Sequence, residues 1–129
     1  MNKTIRATGI RITALGVFAA TVAFAASAVA GYAYKNEVWV SGNWAGGAIS
    51  AARRSADGTQ YIGCYAYAGD HASCTAVTRN GTTKWCYTYN ESHRQAIHGI
   101  NQASSIDFSV NDDNTCAMLS VGGDSRYVP

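Results

Sequence analysis

Apolar and polar residues alternate over short stretches of the chain, and turn-forming residues separate these stretches. Asp57-Gly58 and Asn80-Gly81 each lie between two such stretches, and a polar tip, Asn111 to Asn114, lies between two more. Asp-Gly and Asn-Gly are strong hairpin signals because both central positions of the favoured turn need a positive φ. The pattern predicts a short extended run at 38–40, a glycine-rich corner at 42–47, and three hairpins, which pair 48–55 with 59–66, 73–79 with 82–89, and 106–110 with 116–121.

One segment follows a helical pattern instead. It begins at Asn90, a residue typical of helix N-caps, and Glu91 favours the positive end of the helix dipole. Apolar residues then recur at helical spacing, which predicts a helix from Asn90 to about Ala103, although Gly99 weakens it by about 1 kcal/mol relative to alanine. Hairpins interrupted by one helix predict an α+β domain that is mainly antiparallel β, either a hairpin-built sheet or a small sandwich.

The hairpin register divides the side chains between two sheet faces. With two-residue turns, Arg79 faces Thr82, so Cys74 lies opposite Tyr87 and on the other side of the sheet from Cys86. A slip of one residue would reverse this assignment. The face expected to pack on the helix holds Ile49, Ala51, Ile62, Cys64, Ala66, Cys74, Ala76, Trp85 and Tyr87. The opposite face carries Arg54, Tyr61, Tyr65, Tyr67, Thr75 and Val77.

The four cysteines predict two disulfides. They lie too far apart for a zinc site, which usually contains a Cys-x-x-Cys pair. Three connectivities are possible. The register disfavours a bridge between Cys74 and Cys86, and we prefer Cys64 with Cys74 and Cys86 with Cys116.

The N-terminus has the pattern of an export signal. Basic residues precede an uncharged stretch at 12–26, and Ala28-Val29-Ala30 supplies the small side chains that signal peptidase needs. The uncharged stretch is shorter than the roughly 20 apolar residues of a membrane span. The sequence therefore predicts a cleavable signal at 1–30 and one secreted or periplasmic domain at 31–129, with no membrane span after cleavage. An uncleaved anchor is the alternative.

Removal of the signal changes the charge of the protein. The whole chain carries ten basic and eight acidic residues, and three of the basic residues, Lys3, Arg6 and Arg11, belong to the signal. Residues 31–129 therefore carry seven basic and eight acidic residues, a net charge of −1. Nucleic-acid binders need a basic surplus to neutralise phosphates, so we do not expect a nucleic-acid partner.

The row of tyrosines at Tyr61, Tyr65 and Tyr67 is the main candidate site. Their rings offer flat surfaces for stacking and their hydroxyls offer hydrogen bonds. Together with Arg54, and with Trp39 or Trp44 as further members, they predict a non-enzymatic module that binds a carbohydrate, a cell-envelope component or a partner protein. The alternative to a binding role is the ordinary preference of tyrosine for strands. No cofactor or metal is predicted, and the oligomeric state is left open.

Two other functions remain as alternatives. A small secreted hydrolase would use His93 with Glu91 or Asp107, although no nucleophile, base and orienting group can be assembled from the spacing. An inhibitor or toxin-like effector would present a rigid loop at 68–72 or 122–126. Asn111 to Asn114 holds oxygen atoms that suit calcium, but these residue types also form turns with their own backbone, which is the interpretation we prefer.

Several short motifs support a resemblance to small exported bacterial proteins that have four cysteines and no assigned activity. The resemblance covers residues 61–129 and depends mainly on the cysteine spacing and on the helix between the third and fourth cysteines. It implies an exported protein of the Gram-negative type and assigns no catalytic residues. The motifs are Gly63-Cys64-Tyr65, Cys74, Cys86-Tyr87-Thr88, Ala96-Ile97, Cys116 and Tyr127-Val128-Pro129.

Overall fold

The computed structural model describes residues 37–123, so the predicted signal at 1–30 and part of the predicted loop at 122–126 lie outside the described residues. Within these described residues the elements are seven strands and two short helices. In chain order they are β1 (Trp39–Ser41), β2 (Trp44–Ala48), α1 (Ile49–Arg53), β3 (Tyr61–Ala66), β4 (Ala72–Val77), β5 (Thr83–Thr88), α2 (Glu91–His98), β6 (Ser104–Val110) and β7 (Cys116–Gly123). The predicted α+β class, mainly antiparallel, is confirmed.

The strands form two antiparallel sheets. The first has the order β1-β2-β6-β7 and the second the order β3-β4-β5. The β6–β7 hairpin was predicted, and Asn114 closes its tip at a φ of 64°. The glycine-rich corner instead contains a turn at Gly42-Asn43 followed by β2, because small residues here let β2 fit between β1 and β6.

The first predicted hairpin is wrong, because residues 49–53 form α1 rather than a strand. The Asp57 carboxylate explains the difference: it accepts hydrogen bonds from the backbone N–H groups of Thr59 (2.8 Å) and Gln60 (3.0 Å). This local turn, with Gly58 at a φ of 64°, directs the chain into β3 without a partner strand before it.

The second predicted hairpin forms, but its register is shifted by one residue. Thr78 N donates to Thr82 O and Gly81 N donates to Thr78 O, both at 2.9 Å, so three residues make the loop instead of two. Gly81 takes the positive φ, 82°, that such a loop requires. As a result Cys74 lies directly opposite Cys86, and the predicted pairing of Cys74 with Tyr87 is wrong.

The predicted helix exists as α2 and is shorter than expected. The Asn90 side chain caps its first turn by accepting from Ser92 N (2.8 Å) and His93 N (3.4 Å). The helix ends at His98 with Gly99 as C-cap, and the Asn101 side chain then accepts from Ala103 N in the turn that leads into β6.

One core fills the space between the inner faces of the two sheets. Phe108 and Ile106 of β6 are fully buried there, and Ile97 of α2 packs with them. Both predicted disulfides are present, Cys64 with Cys74 and Cys86 with Cys116. The second bridge joins the edge of the three-stranded sheet to β7, and Tyr87 N donates to Asn114 O beside it (3.0 Å).

Candidate functional site

The outer face of the β3-β4-β5 sheet is rich in rings. The one-residue register shift brings Trp85 and Tyr87 to this face, so their predicted place in the core is wrong. Most of these rings are well exposed; Tyr65, for example, is 58% exposed and Tyr89 is 62% exposed. We call this surface the aromatic face, and its members are Tyr61, Tyr65, Tyr67, His71, Trp85, Tyr87 and Tyr89.

The rings stand in two rows on the outer strands, with small side chains between them. In the register, Ser73 of β4 lies between Tyr65 and Tyr87, and Thr75 lies between Gly63 and Trp85. Neighbouring strands are about 4.8 Å apart, so the two rows are separated by about 10 Å. The aromatic face is therefore a shallow groove with ring walls and a floor that carries hydroxyls.

Hydrogen bonds fix the tyrosine row on β3. Tyr61 donates to the hydroxyl of Tyr65 at 3.0 Å, and the hydroxyls of Tyr67 and Ser73 are 3.2 Å apart. The Tyr61 side chain folds over Gly63, since a Cβ on that glycine would lie 2.9 Å from the Tyr61 hydroxyl. Burial and the hydrogen bond with Tyr65 raise the pKa of Tyr61 to about 12, so its hydroxyl stays neutral.

Ring contacts organise the rest of the aromatic face. His71 stacks on Tyr67 with ring centroids 4.7 Å apart, and it lies 6.0 Å from the ring of Tyr89. Along β5, Tyr87 contacts Trp85 at 6.3 Å and Tyr89 edge-to-face at 5.9 Å. Such pairs stabilise each other's positions, so neighbouring rings fix one another's orientation.

A polar cleft adjoins the aromatic face at Trp85. Its volume is about 370 Å³, within the range of roughly 300–1,000 Å³ that is usual for ligand sites. The hairpin tip Asn111 to Asn114 supplies one side, and the β1–β2 turn supplies another through Asn43. The cleft therefore presents amide groups, the carboxylate of Asp112 and the ammonium group of Lys84 next to an indole.

The remaining predicted binding residues lie elsewhere. Arg54 follows α1, where its Nε donates to Ser50 O (3.2 Å), so the strand pairing that grouped it with the tyrosines is wrong. Trp39 and Trp44 belong to the other sheet. The sequence pattern does not indicate His71 and Tyr89 as members of the aromatic face, and the predicted register places Trp85 and Tyr87 on the wrong face.

The residues of the alternative hydrolase are not brought together. His93 Nδ1 is 3.0 Å from the Thr88 hydroxyl, and within residues 37–123 no carboxylate forms an ion pair with it. Glu91 instead pairs with Arg94, which lowers the pKa of Glu91. Asp107 lies on the outer face of β6.

The hairpin tip at 111–114 is held by its own hydrogen bonds. Thr115 N donates to the Asp113 carboxylate (2.9 Å), and the Thr115 hydroxyl and backbone bonds lower the pKa of Asp113. Across the described residues, no three His, Cys, Asp or Glu side chains are arranged to hold a metal ion. Neither described helix has the length and apolar character needed to cross a membrane.

The described chain is a small disulfide-bonded domain with an exposed cluster of tyrosine and tryptophan. In comparisons with protein families, with curated proteins and with solved structures, nothing matches it.

Proposed function

We propose that the protein is a secreted or periplasmic binding module whose aromatic face holds a carbohydrate. The observation that carries the proposal is the set of seven rings on one exposed sheet face. Sugars combine a flat C–H surface with a rim of hydroxyls, and aromatic rings interleaved with hydroxyls complement both.

The charge of the aromatic face supports a neutral ligand. None of the outward positions of β3, β4 and β5 carries a lysine, arginine or carboxylate side chain. A phosphate-rich ligand would need cations there. A polypeptide that joins the sheet would need main-chain hydrogen bonds at a sheet edge, whereas the rings cover the broad surface of this sheet.

The polar cleft extends this interpretation. A chain of sugars that lies along the groove reaches the cleft at Trp85, where Asn43, Asn111 and Asp112 offer donors and acceptors for the hydroxyls of one unit. The rings then supply affinity along the polymer, and the cleft supplies selectivity for a particular sugar.

Export is part of the proposal. Disulfides persist in oxidising compartments, and both bridges fit a protein that works outside the cytosol. The predicted signal at 1–30 and the envelope components available there make a cell-wall or extracellular glycan a reasonable ligand class.

The test is a glycan screen on the oxidised protein, followed by calorimetry with Tyr65→Ala and Tyr87→Ala. Loss of one stacking ring should lower affinity about tenfold, which corresponds to about 1.4 kcal/mol. Met118→Ala is the matched control, since Met118 is also exposed but lies on the other sheet. A glycan that binds all three variants equally, or a screen without any glycan hit, would refute the proposal.

A further inference from the structure

The outer face of the β1-β2-β6-β7 sheet holds an indole ring beside a carboxylate. Trp39, Gly46, Asp107 and Ser120 lie side by side on β1, β2, β6 and β7, so they form one row across the sheet. All four positions therefore lie on the same outer face of the sheet.

Gly46 lets two of these side chains meet. A Cβ placed on Gly46 would overlap Asp107 Oδ1 and would lie 2.9 Å from Trp39 Cζ2. The carboxylate of Asp107 and the indole of Trp39, from the two neighbouring strands, thus both lie above Gly46. Trp39 remains 39% exposed, so part of its surface is open to a ligand.

The Asp107 carboxylate has no counter-charge in the described structure. Within residues 37–123, no side chain or backbone N–H donates a hydrogen bond to it, and burial alone raises its pKa. The other outward positions of the four strands are Trp, Ser, Gly, Ala and Met. The carboxylate of Glu37, just before β1, forms an ion pair with Arg79.

We propose that Asp107 and Trp39 form a binding site for an organic cation of the alkylammonium type. An ammonium group placed against the carboxylate supplies the missing counter-charge, and its methyl or methylene groups contact the indole by a cation–π interaction. Trp44 lies in the next row on β2 and offers a second indole to the aliphatic part of the ligand.

The site differs from the aromatic face in position and chemistry. The aromatic face has hydroxyls and no carboxylate, whereas this site has one half-buried carboxylate beside an indole. A small organic ammonium ion and a lysine side chain both carry an alkylammonium group, so the titration below distinguishes these two sources of the ligand.

The test is a titration of the oxidised protein, followed by the NMR signals of the Trp39 indole N–H and the Gly46 amide. The probes are choline, the N-acetylated and C-amidated peptide Gly-Lys-Gly, whose only charge is on the lysine side chain, and 3,3-dimethyl-1-butanol, which has the shape of choline without its charge. We expect saturable shifts with a cation and none with the alcohol. Tighter binding of choline identifies a small quaternary ammonium ion as the source, and tighter binding of the peptide identifies a lysine side chain.

Two variants test whether Asp107 and Trp39 bind the cation. Asp107→Asn keeps the shape of the side chain and removes its charge, and we expect at least a tenfold loss of cation affinity. Trp39→Phe should lose less, because phenylalanine keeps a weaker ring. Asp70→Asn is the matched control, since it removes one exposed carboxylate elsewhere.

The unmodified protein gives an independent check. Cation affinity should fall as the pH is lowered through the raised pKa of Asp107, because protonation removes the counter-charge. Equal binding of the neutral alcohol, or equal affinity in Asp107→Asn and Asp70→Asn, would overturn the cation site. Neither result would affect glycan binding, so the two proposals fail separately.

Discussion

Asp57 shows the influence of a single side chain at the junction before β3. Besides its bonds to the Thr59 and Gln60 backbone, its carboxylate accepts from Gln60 Nε2 (2.6 Å) and lies 3.4 Å from Arg79 Nε. Gln60 in turn accepts from Val38 N (2.8 Å) next to β1. The Asp57 carboxylate therefore links the turn to both sheets. Its hydrogen bonds, of which the one from the Gln60 side chain has the largest effect, hold the pKa of Asp57 far below the ordinary value.

This shift predicts a dependence of stability on pH. A group whose pKa is lowered by folding stabilises the folded state above its unfolded pKa, about 3.9 for aspartate, and this contribution is lost as the pH falls. We therefore expect Asp57→Asn to lower Tm at pH 7 and to differ less from the unmodified protein at pH 3. Thermal unfolding followed by circular dichroism measures both. A difference in Tm that is the same at pH 7 and pH 3 would contradict the role of the charge.

Helix α2 depends on its cap because it is only eight residues long and buries one side chain, Ile97. Asn90→Ala removes the oxygen that accepts from Ser92 N and His93 N, and we expect the free energy of unfolding to fall by about 1 kcal/mol. Urea denaturation measures the change. Ser92→Ala, which keeps the backbone donor, should change it by less than about 0.5 kcal/mol. Equal losses in both variants would argue against the cap.

At the level of elements, the sequence predicted the type of an element, strand or helix, better than it predicted which residues of neighbouring strands pair. The hairpins around Asn80-Gly81 and Asn111 to Asn114 and the Asn90 cap all follow from local turn and capping chemistry. Asp57-Gly58 was misleading because the same side chain that suits a hairpin turn also closes an Asx turn after a helix. Local signals of this kind do not reveal which segment lies beside the turn.

Only part of the aromatic face was predicted, because the outward residues of β5 depend on whether the loop between β4 and β5 has two residues or three. Tyr61, Tyr65 and Tyr67 were found from alternation within a single strand. A two-residue turn would direct Trp85 and Tyr87 into the core, whereas the three-residue loop turns them outward. The signal that was available is Cys86: a buried disulfide cysteine requires its neighbours in β5 to face outward.

The two disulfides stabilise the whole molecule to different degrees. Cys64 and Cys74 are 10 residues apart, whereas Cys86 and Cys116 are 30 residues apart. In the chain-entropy model the longer loop restricts the unfolded chain more, so replacing Cys86 and Cys116 by serine should cost about 1 kcal/mol more than replacing the other pair. Denaturation of the two double variants tests this. A larger loss from the Cys64 and Cys74 variant would contradict it.

The position of Cys74 has a consequence for how the chain matures. It lies directly opposite Cys64 on one side and Cys86 on the other, so both thiols are within reach in the finished sheet. Only closure with Cys64 leaves the Cys86 thiol free to form the observed bridge with Cys116. A chain that first oxidises Cys74 with Cys86 must exchange that link before the Cys86–Cys116 bridge can form, which makes the yield of correctly bridged protein depend on thiol exchange.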